Sequence, residues 1–129
     1  ALPLMQEAGG EVQHLRHRTG AQVPLAAPIR ELIAGEQVSE VLVIDSAGEG
    51  EGQGFNQALL QAVEAHTGLP LLAFGGLARA EQIRPLLSSP QLAGVAVGNA
   101  LNYREHAIGH LKAALTDQPL RPHRQSCSV

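Results

Sequence analysis

Three short apolar segments, each followed by a loop that contains glycine, alternate with amphipathic segments along this chain. Such alternation predicts parallel strands connected by helices, because two parallel strands need a long crossover between them. The predicted strands are residues 40–45, 69–74 and 92–97, and the predicted helices are residues 26–36, 56–66, 80–87 and 104–115. Since the strands are almost wholly apolar, we expect helices to cover both faces of the sheet.

The two ends of the chain are less regular. Residues 1–6 are compatible with the end of another strand, and residues 11–17 with one arm of a β-hairpin that turns near Gly20. We expect residues 1–117 to form one domain, irregular over its first 23 residues and then built from three to four βα units, a pattern that a partial βα-barrel domain and an open doubly wound sheet would both give. The tail, residues 118–129, has no apolar period and is expected to be loosely ordered.

Composition limits the partners that this chain can have. The net charge of −3 gives no electrostatic reason to expect nucleic acid. No apolar run approaches the roughly 20 residues of a membrane span, so we expect no membrane partner. A single cysteine fits a reducing compartment, and we expect a cytoplasmic location. The single Cys127 cannot form an internal disulfide or a cysteine metal site, and we expect neither a metal nor a cofactor.

The glycine-rich loops lie where function is usually found. Both a (β/α)8 barrel and an open doubly wound sheet bind ligands at the C-terminal ends of their strands. Gly75 and Gly76, directly after a buried strand, would leave backbone N–H groups free to bind an anion. Gly98 and Asn99 would add to the same site, because adjacent strands bring the two loops together. The alternative is that both loops are tight strand-to-helix turns.

The loop after the first predicted strand is open to two interpretations. Four glycines fall within residues 48–54, so its backbone could approach a ligand closely, and Asp45 at its start is a candidate acid–base group. Glu49 and Glu51 argue against simple anion binding, because carboxylates repel phosphate. The loop is therefore either a phosphate-closing loop or a mobile connection.

These motifs resemble the cyclase subunit of imidazole glycerol phosphate synthase, a barrel enzyme of histidine biosynthesis. Residues 39–56 resemble its sixth strand and loop, residues 69–76 its seventh strand, and residues 95–105 its eighth strand and the following turn. Asn102-Tyr103 is similar to divergent relatives of that cyclase. Because the 129 residues are well short of a closed barrel of about 250, the resemblance implies the C-terminal part of a (β/α)8 TIM barrel, about strands 5 to 8.

The resemblance also implies a set of site residues. The residues that it assigns to phosphate binding are Gly75, Gly76, Gly98, Asn99, Glu49 and Gly50. The family's two catalytic aspartates are not matched, since its first strand is not in this chain and the fifth-strand position falls near Leu4. Asp45 is the nearby carboxylate at a strand end, and it is our candidate catalytic residue.

The resemblance implies lyase chemistry on a phosphorylated, sugar-type substrate, with ammonia supplied by a glutamine amidotransferase partner. The missing aspartates leave open a catalytically inactive phosphate-binding or subunit-docking module. The related isomerase of histidine biosynthesis is a further alternative, although it too depends on aspartates. Part of a barrel would leave both sheet edges open and its inner face exposed, so we expect a homo-oligomer or a complementing N-terminal half-barrel.

Overall fold

The computed structural model describes residues 1–35, 38–102 and 105–121, apart from the side chains of Ile33, Asn99 and Ala100. The strands are β1 Leu2–Gln6, β2 Val12–Arg16, β3 Ala21–Pro24, β4 Val41–Asp45, β5 Leu71–Phe74 and β6 Leu92–Ala96. The helices are α1 Ala26–Ala34, α2 Gln57–Glu64, α3 Ala80–Ile83 and α4 Ala107–Ala113, with short 3-10 helices at Leu86–Ser88 and Asn99–Asn102. The predicted helix end at Glu36, the predicted helix start at Arg104 and residues 122–129 of the tail lie outside the described residues.

The strands form one mostly parallel sheet in the order β3-β2-β1-β4-β5-β6. β1, β4, β5 and β6 pair in parallel, and α2 and α3 lie in the connections between the last three. The α/β class and the parallel pairing of the three predicted strands are confirmed. The sheet is open, and it is consistent with part of a (β/α)8 barrel.

The expectation that both edges of the parallel strands are open is wrong at β1. There β2 pairs antiparallel with β1, and β3 pairs antiparallel with β2. The connection between β2 and β3 is tight, because Gly20 adopts a φ of +67° and its N–H donates to the carbonyl of Arg16. The hairpin therefore covers the outer edge of β1, so that β6 is the remaining edge of the parallel strands.

The two faces of β4 and β5 are unequally buried, contrary to the expectation that helices cover both faces of the sheet. Along β4, Val41 and Val43 are 4% and 0% exposed, whereas Leu42 and Ile44 are only half-buried. The buried face packs with Leu59 of α2 in the hydrophobic core. This alternation, with a period of two residues, shows that the opposite face lacks an equivalent layer of helices in the described chain.

The segment predicted as one helix over residues 80–87 is divided in two. α3 ends at Ile83, and the 3-10 turn Leu86–Ser88 follows Pro85. Proline ends the α-helix because it lacks an N–H group and its ring clashes with the carbonyl of the preceding turn. Ile83 and Leu86 are nevertheless both buried in the core. Across the residues that the structure describes, no helix is long and apolar enough to cross a membrane.

Burial of His14 in the hairpin makes the stability of the fold depend on pH. His14 lies on β2, between β1 and β3, and its Nδ1 is buried without a partner among the described residues. Burial lowers its pKa below the ordinary 6.5, the positive charges of Arg16 and His17 lower it further, and Glu31 opposes them. The unfolded chain therefore takes up this proton at a higher pH than the folded chain does, so acid favours unfolding.

We predict that the free energy of unfolding falls as the pH is lowered through 6.5, and that His14→Gln makes this fall less steep. Urea unfolding of both proteins at about pH 7.5 and about pH 5.5 measures the difference. The matched control is His66→Gln, because His66 is exposed. An unchanged pH dependence in His14→Gln would show that burial of this imidazole does not affect stability.

Candidate functional site

A cavity of about 470 Å³ opens where β4, β5 and β6 end. Three segments contribute its walls, one from the C-terminal side of each of these strands. The lining residues are Glu49, Gly50 and Gly52 after β4, Phe74 to Ala78 after β5, and Ala96, Gly98 and Asn102 at the end of β6 and beyond it. The adjacency of parallel strands therefore brings together three segments that are well separated in the chain.

Most residues assigned to phosphate binding from the sequence line this cavity. They are Glu49, Gly50, Gly75, Gly76 and Gly98. Asn99 begins the 3-10 helix Asn99–Asn102 beside Gly98, but its side chain lies outside the described part of the structure. The cavity is thus the place where the predicted site residues meet, and the binding of phosphate there stays a prediction.

Close backbone contact explains why residues 75 and 76 are both glycine. Their φ angles are +116° and +68°, in the region that side chains disfavour. A Cβ atom at residue 75 would lie 2.7 Å from the carbonyl oxygen of Asp45, and one at residue 76 would lie 2.2 Å from that of Gly54. The turn after β5 therefore packs backbone to backbone against the loop after β4.

A hydrogen bond between the same two segments joins them further. The N–H of Gly54 donates to the carbonyl of Gly76 over 2.9 Å. By contrast, the hydrogen bonds of the described residues engage none of the N–H groups of Gly76, Leu77 and Gly98. These donors belong to residues that line the cavity. Gly76 and Leu77 are buried residues and Gly98 is half-buried, so their N–H groups are candidate donors for a ligand, because a buried donor without a partner is costly.

Charge in the cavity is sparse. Among the described lining residues, the ionisable side chain is the carboxylate of Glu49, and no Lys, Arg or His is present. An anion in this cavity would therefore be held by backbone N–H groups and would be opposed by Glu49. Groups of three or more His, Cys, Asp or Glu side chains that could hold a metal are absent from the described ranges.

Asp45 does not line the cavity but organises the loop that does. Its side chain is 4% exposed. Oδ1 accepts hydrogen bonds from the N–H groups of Ala47 and Gly48 at 3.2 and 2.9 Å, and Oδ2 accepts one from the N–H of Asn56 at 2.9 Å. The carboxylate thereby joins the beginning of the glycine-rich loop to its end, and both oxygens are engaged.

Asn56 links this loop to the end of β1. Its Oδ1 accepts from the N–H of Ala58 and caps α2, as the sequence predicts, while its Nδ2 donates to Oε1 of Gln6 over 2.8 Å. The neighbouring Phe55 is buried in the core, which fixes the loop at this end. Both ends of the loop are therefore fixed by contacts that do not involve its middle.

The position expected for the missing catalytic aspartate is occupied by apolar side chains. Leu4 is 0% exposed and pairs in register with Asp45, on the face of the sheet that is buried in the core. Met5 is half-buried and lies on the opposite face. A shift of one residue in the alignment would therefore not recover a carboxylate here.

Sequence reasoning did not identify several lining residues. Phe74 and Ala96 are the last residues of β5 and β6, and they line the cavity because both of these strands end at it. Asn102 reaches the cavity through the 3-10 helix, and nothing in its local sequence indicates this. Gly52 could have been identified as a lining residue from the sequence, because it lies within the glycine-rich loop.

A model of a family described as histidine biosynthesis protein matches residues 12–107, well over half of the chain. Imidazole glycerol phosphate synthase subunit HisF from Mycobacterium bovis (strain BCG / Pasteur 1173P2) is 36% identical over 78 residues, which are 60% of this chain and 29% of that protein. The same subunit from Corynebacterium glutamicum (strain R) is 32% identical over 80 residues, which are 62% of this chain and 31% of that protein.

The chain therefore matches less than a third of the length of these curated relatives. The resemblance to the cyclase subunit that the motifs suggested is confirmed by both comparisons. The matched family residues include the hairpin, β4, β5 and β6, and hence the three strand ends around the cavity. By the extent of this match, the chain belongs to the histidine biosynthesis protein family.

Proposed function

We propose that this chain is the phosphate-binding part of a cyclase-type barrel that acts on a phosphorylated ribosyl intermediate. The observation that carries the proposal is the cavity lined by the backbone donors of Gly76, Leu77 and Gly98. Backbone N–H groups that converge on a concave surface bind phosphate without a basic side chain. The name of the relatives, imidazole glycerol phosphate synthase, supports a phosphorylated ligand.

The rest of the barrel is proposed to come from another chain segment or another subunit. β6 ends the sheet, and the half-buried face of β4 and β5 has no helical layer among the described residues. A ring of eight parallel strands would cover both, and either an N-terminal half-barrel or a second copy of this chain would complete it. A glutamine amidotransferase subunit would then supply ammonia to the assembled barrel, as the family resemblance implies.

One observation favours the alternative of a binding module without catalysis. Leu4 and Met5 occupy the end of β1 where the family places an aspartate, and the carboxylate of Asp45 is engaged by three backbone N–H groups. In this alternative the cavity binds phosphate, but the assembled barrel does not catalyse a reaction. Acid–base catalysis by Asp45 would require one of its oxygens to exchange a loop amide for the substrate.

The carboxylate of Glu49 provides a direct test of anion binding in this cavity. We predict that Glu49→Gln lowers the dissociation constant for inorganic phosphate by about three- to ten-fold, since it removes a like charge several ångströms away at high effective dielectric. Isothermal titration calorimetry at low ionic strength measures the change, which salt should diminish.

Glu51→Gln is the matched control for this experiment. Glu51 lies in the same loop and is exposed, as Glu49 is, but it does not line the cavity. Its substitution should change the dissociation constant by less than about two-fold, because its charge lies outside the cavity and is separated from it by screening solvent. Weaker binding in Glu49→Gln, or equal gains in the two variants, would place the phosphate elsewhere.

The role of Asp45 in shaping the loop predicts a large effect on stability. Asp45→Ala should reduce the free energy of unfolding by about 2–4 kcal/mol, since three partly buried N–H groups lose their acceptor. Glu51→Gln, a substitution at an exposed site in the same loop, should cost less than about 0.5 kcal/mol. Urea unfolding distinguishes the two, and a cost below about 1 kcal/mol for Asp45→Ala would refute the loop-shaping role.

Closure of a barrel by a second copy predicts self-association. The chain should sediment above its monomer mass of 13.5 kDa at micromolar concentration. Leu42→Lys, on the half-buried face of β4, should shift it toward the monomer, because a lysine there would be buried on closure. Ile108→Lys on α4 is the control, because Ile108 is already 38% exposed. It should leave the sedimentation of the chain unchanged. A monomeric wild-type chain would exclude closure by self-association.

A further inference from the structure

The side chain of Gln82 bridges two of the three segments that form the cavity. Gln82 lies on α3, and its Oε1 accepts hydrogen bonds from the N–H groups of Ala78 and Arg79 at 2.9 and 3.0 Å. Its Nε2 donates to the carbonyl of Gly52 over 2.8 Å. One end of this amide therefore caps the first turn of α3, and the other end holds the glycine-rich loop.

The middle of the glycine-rich loop has little else to hold it. Gly50 and Gly52 adopt φ angles of +84° and +64°, and nothing lies within 4 Å of where their Cβ atoms would be. Among the described residues, the hydrogen bond from Gln82 is the one that reaches residues 50–53 from outside the loop. Asp45 and Gly54 hold the ends of the loop, so the position of its middle depends on Gln82.

The loop that Gln82 holds supplies one wall of the cavity. Glu49, Gly50 and Gly52 line it opposite the turn after β5. A loop with this many glycines loses much conformational freedom when it is fixed, and a ligand that must fix it binds more weakly. A side chain that fixes the loop in advance removes that cost from binding.

We propose that Gln82 is a positioning residue that holds the glycine-rich loop over the cavity and so raises the affinity for phosphate. This inference rests on the proposed function, because it concerns the same cavity. The donor Nε2 performs this role, while the acceptor Oε1 stabilises α3. The two ends of the amide can therefore be separated by substitution.

Gln82→Glu separates them, because a carboxylate keeps the acceptor for Ala78 and Arg79 but cannot donate to Gly52. We predict that this variant binds inorganic phosphate about three- to ten-fold more weakly, the value of one hydrogen bond of ordinary strength. Its melting temperature should stay close to that of the wild type. In ¹H–¹⁵N spectra, the amides of residues 50–53 should shift and exchange with water faster.

Gln53→Glu is the matched control, since it makes the same chemical change on an exposed side chain of the same loop. It should leave the shifts and the exchange rates of the loop amides unchanged. The dissociation constant for phosphate should stay within about two-fold of the wild type, because an exposed charge is screened. Equal weakening in Gln53→Glu and Gln82→Glu, or weakening in Gln82→Glu without faster exchange of the amides of residues 50–53, would attribute the effect to charge and overturn the proposal. So would unchanged phosphate affinity in Gln82→Glu.

A measurement on the wild type covers the case in which Gln82→Glu does not fold. The side-chain NH₂ of Gln82 should be protected from exchange with water, and inorganic phosphate should increase that protection. Unprotected exchange would refute the contact. If the wild type shows a protected Gln82 but no phosphate binding, the proposed function fails while the contact stands. If phosphate binds and leaves the exchange unchanged, the positioning role fails alone.

Discussion

The candidate site depends on the contact between the carbonyl oxygen of Gly54 and the backbone of Gly76. A Cβ atom at residue 76 would approach this oxygen to 2.2 Å, so the contact exists only because residue 76 is glycine. It lets the loop after β4 lie directly on the turn after β5. Asp45 then fixes the ends of that loop, and Gln82 fixes its middle. The residues of the turn thereby line the cavity together with residues of that loop.

Local patterns were enough to predict the parallel strands and to identify the glycines at their ends. A short apolar run that ends in glycine is typical of a buried parallel strand and the turn after it. Because neighbouring parallel strands end side by side, Gly76 and Gly98 are predicted to share a site. Gln82 and Asn102 could not be found in this way. Their roles depend on which loop folds back over which turn, and hydrogen bonds across 30 residues have no signal in local periodicity.

The features that differ from expectation have physical causes that local patterns do not contain. Apolar runs in β4 and β5 suggested strands covered on both faces, yet only alternate residues are fully buried. Burial of one face only is expected if another part of a barrel covers the opposite face. The match with the Mycobacterium bovis relative covers 29% of that protein. The hairpin covers the β1 edge because its strands pair locally, which needs no partner. Leu4 and Met5 stand where the family resemblance places a carboxylate, and neither residue lines the cavity.

The central claim is that backbone N–H groups at the ends of β5 and β6 bind phosphate. Titration of inorganic phosphate into the ¹⁵N-labelled chain, followed through ¹H–¹⁵N spectra, tests it most directly. The account predicts that the amides of Gly76, Leu77 and Gly98 shift together and saturate with a single dissociation constant. Amides in the β2–β3 hairpin, at the far side of the sheet, should stay in place. A well-dispersed spectrum in which those three amides do not move would contradict the account.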